Sequence, residues 1–237
     1  MDEEETESFV RKLQASKMEP AVSHMPYLPN LASHDKAIYE KSVETLIAEL
    51  DRAGVLGVRF VVTHLGSHMG AGMEVGFRQI TDACNRALSA VQNDVQLLLE
   101  NTAGTKNSMG GTFEDIRQII DGIDQRGRIG ICFDTCHGFA AGYDVRTPER
   151  LEVTLRQLDA AIGLDRLKVV HLNDSKGKLG SHIDRHEHIG LGHIGNKGFR
   201  VILHNELMRS LPLILETPVD NRRNDEWNLR KVRRLSK

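Results

Sequence analysis

Cysteine is scarce in this chain, long apolar runs are missing and neither sign of charge dominates. Three cysteines among 237 residues, Cys84, Cys132 and Cys136, are an odd number in a chain long enough to bury a core without crosslinks. That excludes a disulfide scaffold and points to a reducing compartment. No two of them form a CxxC pair, so Cys132 and Cys136 read as packing residues rather than metal ligands. No apolar stretch approaches the ~18 residues of a membrane span. The chain opens MDEEETE, acidic rather than basic, so neither a membrane helix nor an N-terminal secretory signal is expected. A net charge of −2 excludes a global basic field. No low-complexity segment or linker interrupts the sequence, and a single domain over 1–237 is expected.

Locally the charge differs. Between 222 and 237 stand Arg222, Arg223, Arg230, Lys231, Arg233, Arg234 and Lys237 against Asp225 and Glu226. Such a basic tail suits phosphate contacts or a nuclear address, and equally suits a solvated helix face with a frayed end.

Six runs read as strands: 21–24, 57–64, 94–100, 129–134, 167–171 and 211–216. GVRFVVTH and DVQLLLE are typical of them, β-branched and leucine-rich as strands buried on both faces require. Helical patterns cover 3–17, 35–54, 74–90, 112–123, 147–162 and 196–208. Strand and helix alternate, which gives an α/β fold on a parallel sheet. Each strand run closes on a histidine or a carboxylate, namely His24, His64, Glu100, Asp134, His171 and Glu216. Their separations match one strand plus a crossover helix, ~30 residues or more. A ring of ligand-type residues on strand ends is a metal site at one face of a TIM-type (β/α) barrel, where active residues gather. A closed barrel needs eight strands and this chain supplies six, so the barrel is expected to be incomplete, or the sheet open.

Two further pairs load the same face. His137 follows Asp134 by three positions, and Asp184 stands two before His186. Imidazole and carboxylate without thiolate suit zinc or manganese, and nine candidates exceed the needs of one ion; two or three are implied. One such residue alone is more often a hydrogen-bonded structural group. Six in succession are not, because clustered carboxylates repel one another unless cations intervene. His34, His68, His182, His188, His193 and His204 keep structural roles, with phosphate contact open for His68 and His182. Gly190-Leu191-Gly192-His193-Ile194-Gly195 matches the dinucleotide-binding GxGxxG pattern but does not directly follow a strand, so it reads as a loop-shaping segment around Asp184 and His186.

The run Gly130-Ile131-Cys132-Phe133-Asp134-Thr135-Cys136-His137, with Glu100-Asn101-Thr102-Ala103-Gly104, His171-Leu172-Asn173-Asp174-Ser175-Lys176, Asp184-Arg185-His186-Glu187 and Leu215-Glu216-Thr217, resembles the endonuclease IV family of apurinic/apyrimidinic (AP) endonucleases. The resemblance is collinear from about residue 20 to 230. It implies a βα barrel with three zinc ions: one held by His24 and His64, with Glu100 bridging to a second held by Asp134, His171 and Glu216, and a third held by His137, Asp184 and His186. It implies hydrolysis of the phosphodiester 5′ to an abasic deoxyribose in duplex DNA, leaving a 3′-hydroxyl, in base excision repair. Glu216 would orient or deprotonate the attacking water. Tyr27 and Leu28 match a loop that inserts into the DNA stack, a wedge of the kind that opens base steps, and packing of the loop by the same two residues is the alternative.

The family's first two βα units have no counterpart, so the expectation is an N-terminally truncated barrel that keeps all nine ligands. Two other functions stay open: a metal-dependent sugar isomerase or epimerase on the same barrel, and a catalytically impaired truncated form. A monomer inside the cell is expected, without a membrane partner, in the nucleus or mitochondrion of a eukaryote or the cytoplasm of a prokaryote.

Overall fold

The computed structural model describes residues 3–237; Met1 and Asp2, which the acidic N-terminus and the 1–237 domain include, lie outside the described residues. In chain order the elements are α1 (Glu3–Ser16), β1 (Val22–His24), α2 (Lys36–Val55), β2 (Phe60–Thr63), α3 (Met73–Ala90), β3 (Gln96–Glu100), α4 (Phe113–Asp121), β4 (Ile129–Asp134), α5 (Thr135–Ala141), α6 (Pro148–Ala161), β5 (Leu167–His171), β6 (Asp174–Ser175), β7 (His186–Glu187), α7 (Gly195–His204), α8 (Glu206–Ser210), β8 (Leu213–Ile214) and α9 (Asp225–Leu235). Two compact units divide the chain, one comprising Met1–Leu99 and Gln118–Gly130, the other Glu100–Arg117 and Ile131–Lys237. No helix among the described residues is long and apolar enough to cross a membrane.

In the first unit β1, β2 and β3 run parallel, with His24 opposite Val62 and Thr63 opposite Leu99. All four residues of β2 are buried, as expected of a strand covered on both faces. The helix α2 starts where the Asp35 carboxylate accepts the amide hydrogens of Ala37 and Ile38, an N-cap that satisfies two donors a helix start leaves free. Its buried face, Tyr39, Val43, Leu46, Leu50 and Ala53, follows the 3–4 spacing of one helical stripe.

In the second unit β4, β5 and β8 are parallel, with Asp134 opposite His171 and His171 opposite Ile214. Every residue of β4 is buried. Thr147 caps α6 and Pro148 occupies its first turn, where a missing N–H costs nothing.

Several boundaries correct the sequence reading. β2 stops at Thr63 and β8 at Ile214, so His64 and Glu216 follow their strands rather than close them. The helix expected over 196–208 is two helices. Asn205 breaks it in an extended conformation, its side chain accepting from the Met208 amide and so capping α8. Three short elements lie outside the sequence reading: α5, starting directly after β4, and the antiparallel strands β6 and β7, in which Asp174 faces Glu187 and Ser175 faces His186.

Candidate metal centre

In the first unit, His24 ends β1 and His64 follows β2, and their rings stand 4.9 Å apart. His24 Nδ1 lies 2.7 Å from the Met25 carbonyl oxygen, so Nδ1 carries the proton and donates it, leaving the Nε2 lone pair to act as a ligand. Tyr27 sits edge-on to His64 with ring centroids 6.4 Å apart. Tyr27 and Leu28 are 87% and 89% exposed, so both stand largely in solvent. His68, also in this unit, is buried and accepts the Gly70 and Gly72 amide hydrogens on Nδ1, a structural task.

In the second unit the strand register brings a group together. Asp134 and His171 are direct neighbours across β4 and β5, and Glu216 lies two residues past Ile214, the partner of His171. Alternation along an extended chain puts residues two apart on one side. Ligand-type atoms of Glu100, Asp134, His171 and Glu216 lie within 4.8 Å of one another. His171 Nδ1 is 2.9 Å from Glu100 Oε1 and 3.1 Å from Glu216 Oε2. Glu100 and Asp134 are fully buried, a costly placement for two carboxylates unless cations compensate. Burial opposes a charged imidazole at His171, yet the Cys132 sulfur and the Glu100 and Glu216 carboxylates outweigh it and hold its pKa far above the ordinary range.

A second group stands beside the first. His137 Nε2 lies 3.1 Å from Asp184 Oδ1 and 3.4 Å from His186 Nε2, with His186 Nε2 3.9 Å from Asp184 Oδ1. Ligands ~2.0–2.1 Å from a tetrahedral ion stand ~3.3 Å from one another; the two separations from His137 match this and the His186–Asp184 separation is wider. Both rings are turned to suit. His137 Nδ1 donates to the Asn101 carbonyl at 3.0 Å and His186 Nδ1 to the Glu216 carbonyl at 2.9 Å, which turns each Nε2 toward the cluster. Desolvation lowers the His137 pKa, but the Asp134, Asp184 and Glu100 carboxylates reverse that and hold it well above the usual value. The donor set, nitrogen and carboxylate oxygen without sulfur, fits zinc. Cysteine belongs to none of the ligand groups among the described residues; Cys132 is buried and its thiol pushed up to about 12 by desolvation.

Sequence reasoning missed the groups that hold these ligands in place. Asp134 caps α5, its Oδ1 accepting the His137 amide at 2.8 Å, so one candidate ligand places the next. Asn101 brackets Asp134 through its backbone, accepting from the Asp134 N–H at 2.8 Å and donating to its carbonyl at 3.2 Å. Asn173 donates to Asp134 Oδ2 and accepts from the Glu216 amide. The available signal was position: each asparagine stands one or two residues beyond a strand-end ligand.

The glycine loop at 190–195 does hold an anion, but one from its own chain. Asp174, buried in β6, accepts amide hydrogens from Ser175, Gly190, Gly192, Ile194 and Gly195 at 2.9–3.3 Å. A Cβ at Gly192 would fall 2.4 Å from the Ser175 carbonyl oxygen and 2.5 Å from Asp174 Oδ1, so this position must be glycine. Burial raises the Asp174 pKa and the ring of amides opposes it. His188 is likewise structural: buried, it joins Asp220 at 3.1 Å to Asn228 of α9 at 3.1 Å. His182 lies exposed, bonded through Nδ1 to the Ala103 carbonyl.

Parallel strands followed by helices, with acidic and imidazole side chains at or just after the strand ends, define a βα-barrel class with clusters able to hold metal. The family described as "Xylose isomerase-like TIM barrel" matches residues 1–236. "Probable endonuclease 4" of Methanoculleus marisnigri is 58% identical over 230 residues, covering 97% of this chain and 82% of the relative. The protein of the same name from Cenarchaeum symbiosum is 46% identical, covering 100% and 85%. The crystal structure of endonuclease IV from Thermus thermophilus superposes with a TM-score of 0.86 at 38% identity, covering 99% of this chain and 82% of that one. The chain belongs to the endonuclease IV family, with the TIM-type barrel as its fold class.

Proposed function

We propose that this protein is a zinc-dependent AP endonuclease that hydrolyses the phosphodiester 5′ to abasic sites in duplex DNA, leaving a 3′-hydroxyl, in base excision repair. The observation that carries the reading is the second ligand group, His137, Asp184 and His186, standing beside Glu100, Asp134, His171 and Glu216. A two-metal sugar isomerase has no use for it. The proposed ligand set is His24 and His64 with Glu100 as bridge; Asp134, His171 and Glu216; and His137, Asp184 and His186, for three zinc ions in all. When bound, zinc supplies Lewis-acid stabilisation of phosphate charge and lowers the pKa of a coordinated water.

The chain's own residues have distinct tasks in this reading. Glu216 has a side chain 34% exposed, unlike the fully buried Glu100, so it is the carboxylate able to meet an incoming water, and it orients that water or takes its proton. Glu100 anchors the His171 ring and joins the ligand sets. Asn173 fixes Asp134 and the Glu216 backbone together, which keeps ligand and base in register. Tyr27 and Leu28, both exposed, fill the stack where the abasic nucleotide leaves it. The protein acts as a monomer, and its prokaryotic relatives and three unpaired cysteines favour a cytoplasmic setting.

Incubation of the purified protein with a duplex carrying one abasic analogue tests the reading. Incision on the 5′ side that stops with chelator and returns with zinc is expected. No incision by folded, zinc-loaded protein would sink it, and sugar turnover would favour the isomerase.

A further inference from the structure

Helix α9 carries most of the basic tail, and the geometry splits its cations into two sets. Arg222 is consumed by Glu187 and Asp220, at 2.9 and 2.8 Å, and Arg230 pairs with Glu226 at 3.2 Å. Arg200, Arg223, Lys231 and Arg234 have no carboxylate within ion-pair distance among the described residues. They crowd together instead. The Arg223 guanidinium lies 4.3 Å from the centre of the Trp227 ring and the Lys231 ammonium 5.8 Å from it. Trp227, Arg230, Lys231 and Arg234 line a hollow of about 210 Å³. The Lys231 stem rests on the glycine loop, where a Cβ at Gly190 would meet its Cε at 3.1 Å. Burial and the Arg234, Arg200 and Arg223 charges lower the Lys231 pKa, as expected where positive charge is concentrated without compensation.

In a chain of net charge −2, cations without carboxylate partners gathered around α9 from α7, the segment before α9 and α9 itself cost repulsion that an anionic partner would relieve. We propose that the face formed by Trp227, Arg223, Lys231 and Arg234, with Arg200 beside it, docks the phosphate backbone of a nucleic-acid duplex at phosphates away from the reacting one.

Length and position favour a duplex over a single anion. From Trp227 to Arg234 α9 advances ~10 Å, and Arg223 extends the row ahead of its first turn. A duplex carries about one charge per 1.7 Å of axis, so a row this long faces several phosphates together. Guanidiniums also match phosphate oxygens in a fork geometry. The helix is tied to the metal centre: Asn228, fully buried, donates to Thr217 Oγ1 at 2.8 Å and bonds His188 Nδ1 at 3.1 Å. Thr217 follows Glu216, and His188 lies two residues past His186. The inference deepens the nuclease reading, because such a surface would hold DNA whose scissile phosphate lies elsewhere.

The test measures binding of an undamaged fluorescent duplex by anisotropy across 50–300 mM salt, so it does not depend on incision. Replacement of Arg200, Lys231 and Arg234 by glutamine should reduce the slope of log affinity against log salt by about 2 to 3, near one for each phosphate no longer neutralised, and weaken binding about tenfold or more near 100 mM salt. A charge-matched control, Arg150→Gln with Arg156→Gln and Arg209→Gln, should leave the slope unchanged. Should the triple variant fold poorly by thermal unfolding, Arg234→Gln alone should still lower the slope by about one. Equal slopes for variant and control overturn the proposal. So does sedimentation showing a dimer of the unaltered protein that the triple variant abolishes without a change in slope, because the surface would then serve a second copy of the chain. A reduced slope in a protein that never incises abasic DNA keeps this surface and removes the nuclease reading.

Discussion

Asn173 donates from Nδ2 to Asp134 Oδ2 at 2.6 Å while its Oδ1 accepts the Glu216 amide at 2.8 Å, so one fully buried amide couples two candidate ligands. Asn173→Ala removes both bonds and leaves Asp134 Oδ2 without this donor, while Oδ1 still accepts the His137 amide. The expected outcome is a 10–100-fold fall in metal affinity or incision rate, the usual effect of losing a group that orients a ligand. Competition with a zinc chelator and single-turnover incision measure the two. Unchanged affinity and rate would show that β4 and the segment after β8 hold Asp134 and Glu216 in place without it.

Asp184 is half exposed and stands beside His137 and His186. Asp184→Ala should therefore lower the zinc content from about three to about two per chain by elemental analysis, leaving the group around Glu100 loaded. Loss of all zinc would mean that the groups bind as one cooperative unit.

Tyr27 and Leu28 are so exposed that replacing them costs the fold almost nothing; surface changes of this kind usually stay within about 0.5 kcal/mol. Tyr27→Ala with Leu28→Ala should raise KM for abasic duplex about tenfold, in line with ~1–3 kcal/mol for removal of a stacking side chain, with zinc content and unfolding midpoint unchanged. A variant that binds and cuts normally would assign both residues to solvent.

The reach of the sequence varied with the physics behind each feature. β4 and β5 were read to the residue, Ile129–Asp134 and Leu167–His171, because buried parallel strands are continuous apolar runs that a charged end interrupts sharply. β8 was read too long: Leu211–Glu216 has the same composition, yet only Leu213 and Ile214 find a ladder partner, and pairing is a property of the neighbour. The ligand residues were legible because their chemistry is intrinsic. Asn101 and Asn173 were not, since an amide gains its role only from what lies across the strand gap. The split at Asn205 and the start of α5 at Thr135 were overlooked for a related reason. A capping side chain looks the same in sequence as any loop residue.

Gly192→Ala should destabilise the protein by about 2–4 kcal/mol, because the new methyl group collides with a backbone oxygen and a carboxylate that cannot both retreat. Urea unfolding midpoints measure this. Gly127→Ala, where nothing lies within 4 Å of the added carbon, is the matched control.

Asp144 is bound by Arg146 through Oδ1 and Oδ2, both at 2.9 Å, and this pairing depresses its pKa. For a carboxyl with a folded pKa below its unfolded value of about 3.9, stabilisation is complete above that value and is lost as pH falls through the folded pKa. Between pH 6 and pH 3, Asp144→Asn should therefore show a shallower acid decline in urea midpoint than the unaltered protein. Parallel curves would mean that solvent screens the pair.

The carboxylate of Asp174 sits among the amides of the 190–195 loop as a tethered competitor. A group attached to the same chain has an effective concentration of the millimolar order or higher, so free phosphates and nucleotides entering this region meet a seat already taken. The β6–β7 pair, which bears His186, is thereby locked to the loop before any DNA arrives. Its ordering entropy is spent during folding instead of being charged to each substrate encounter.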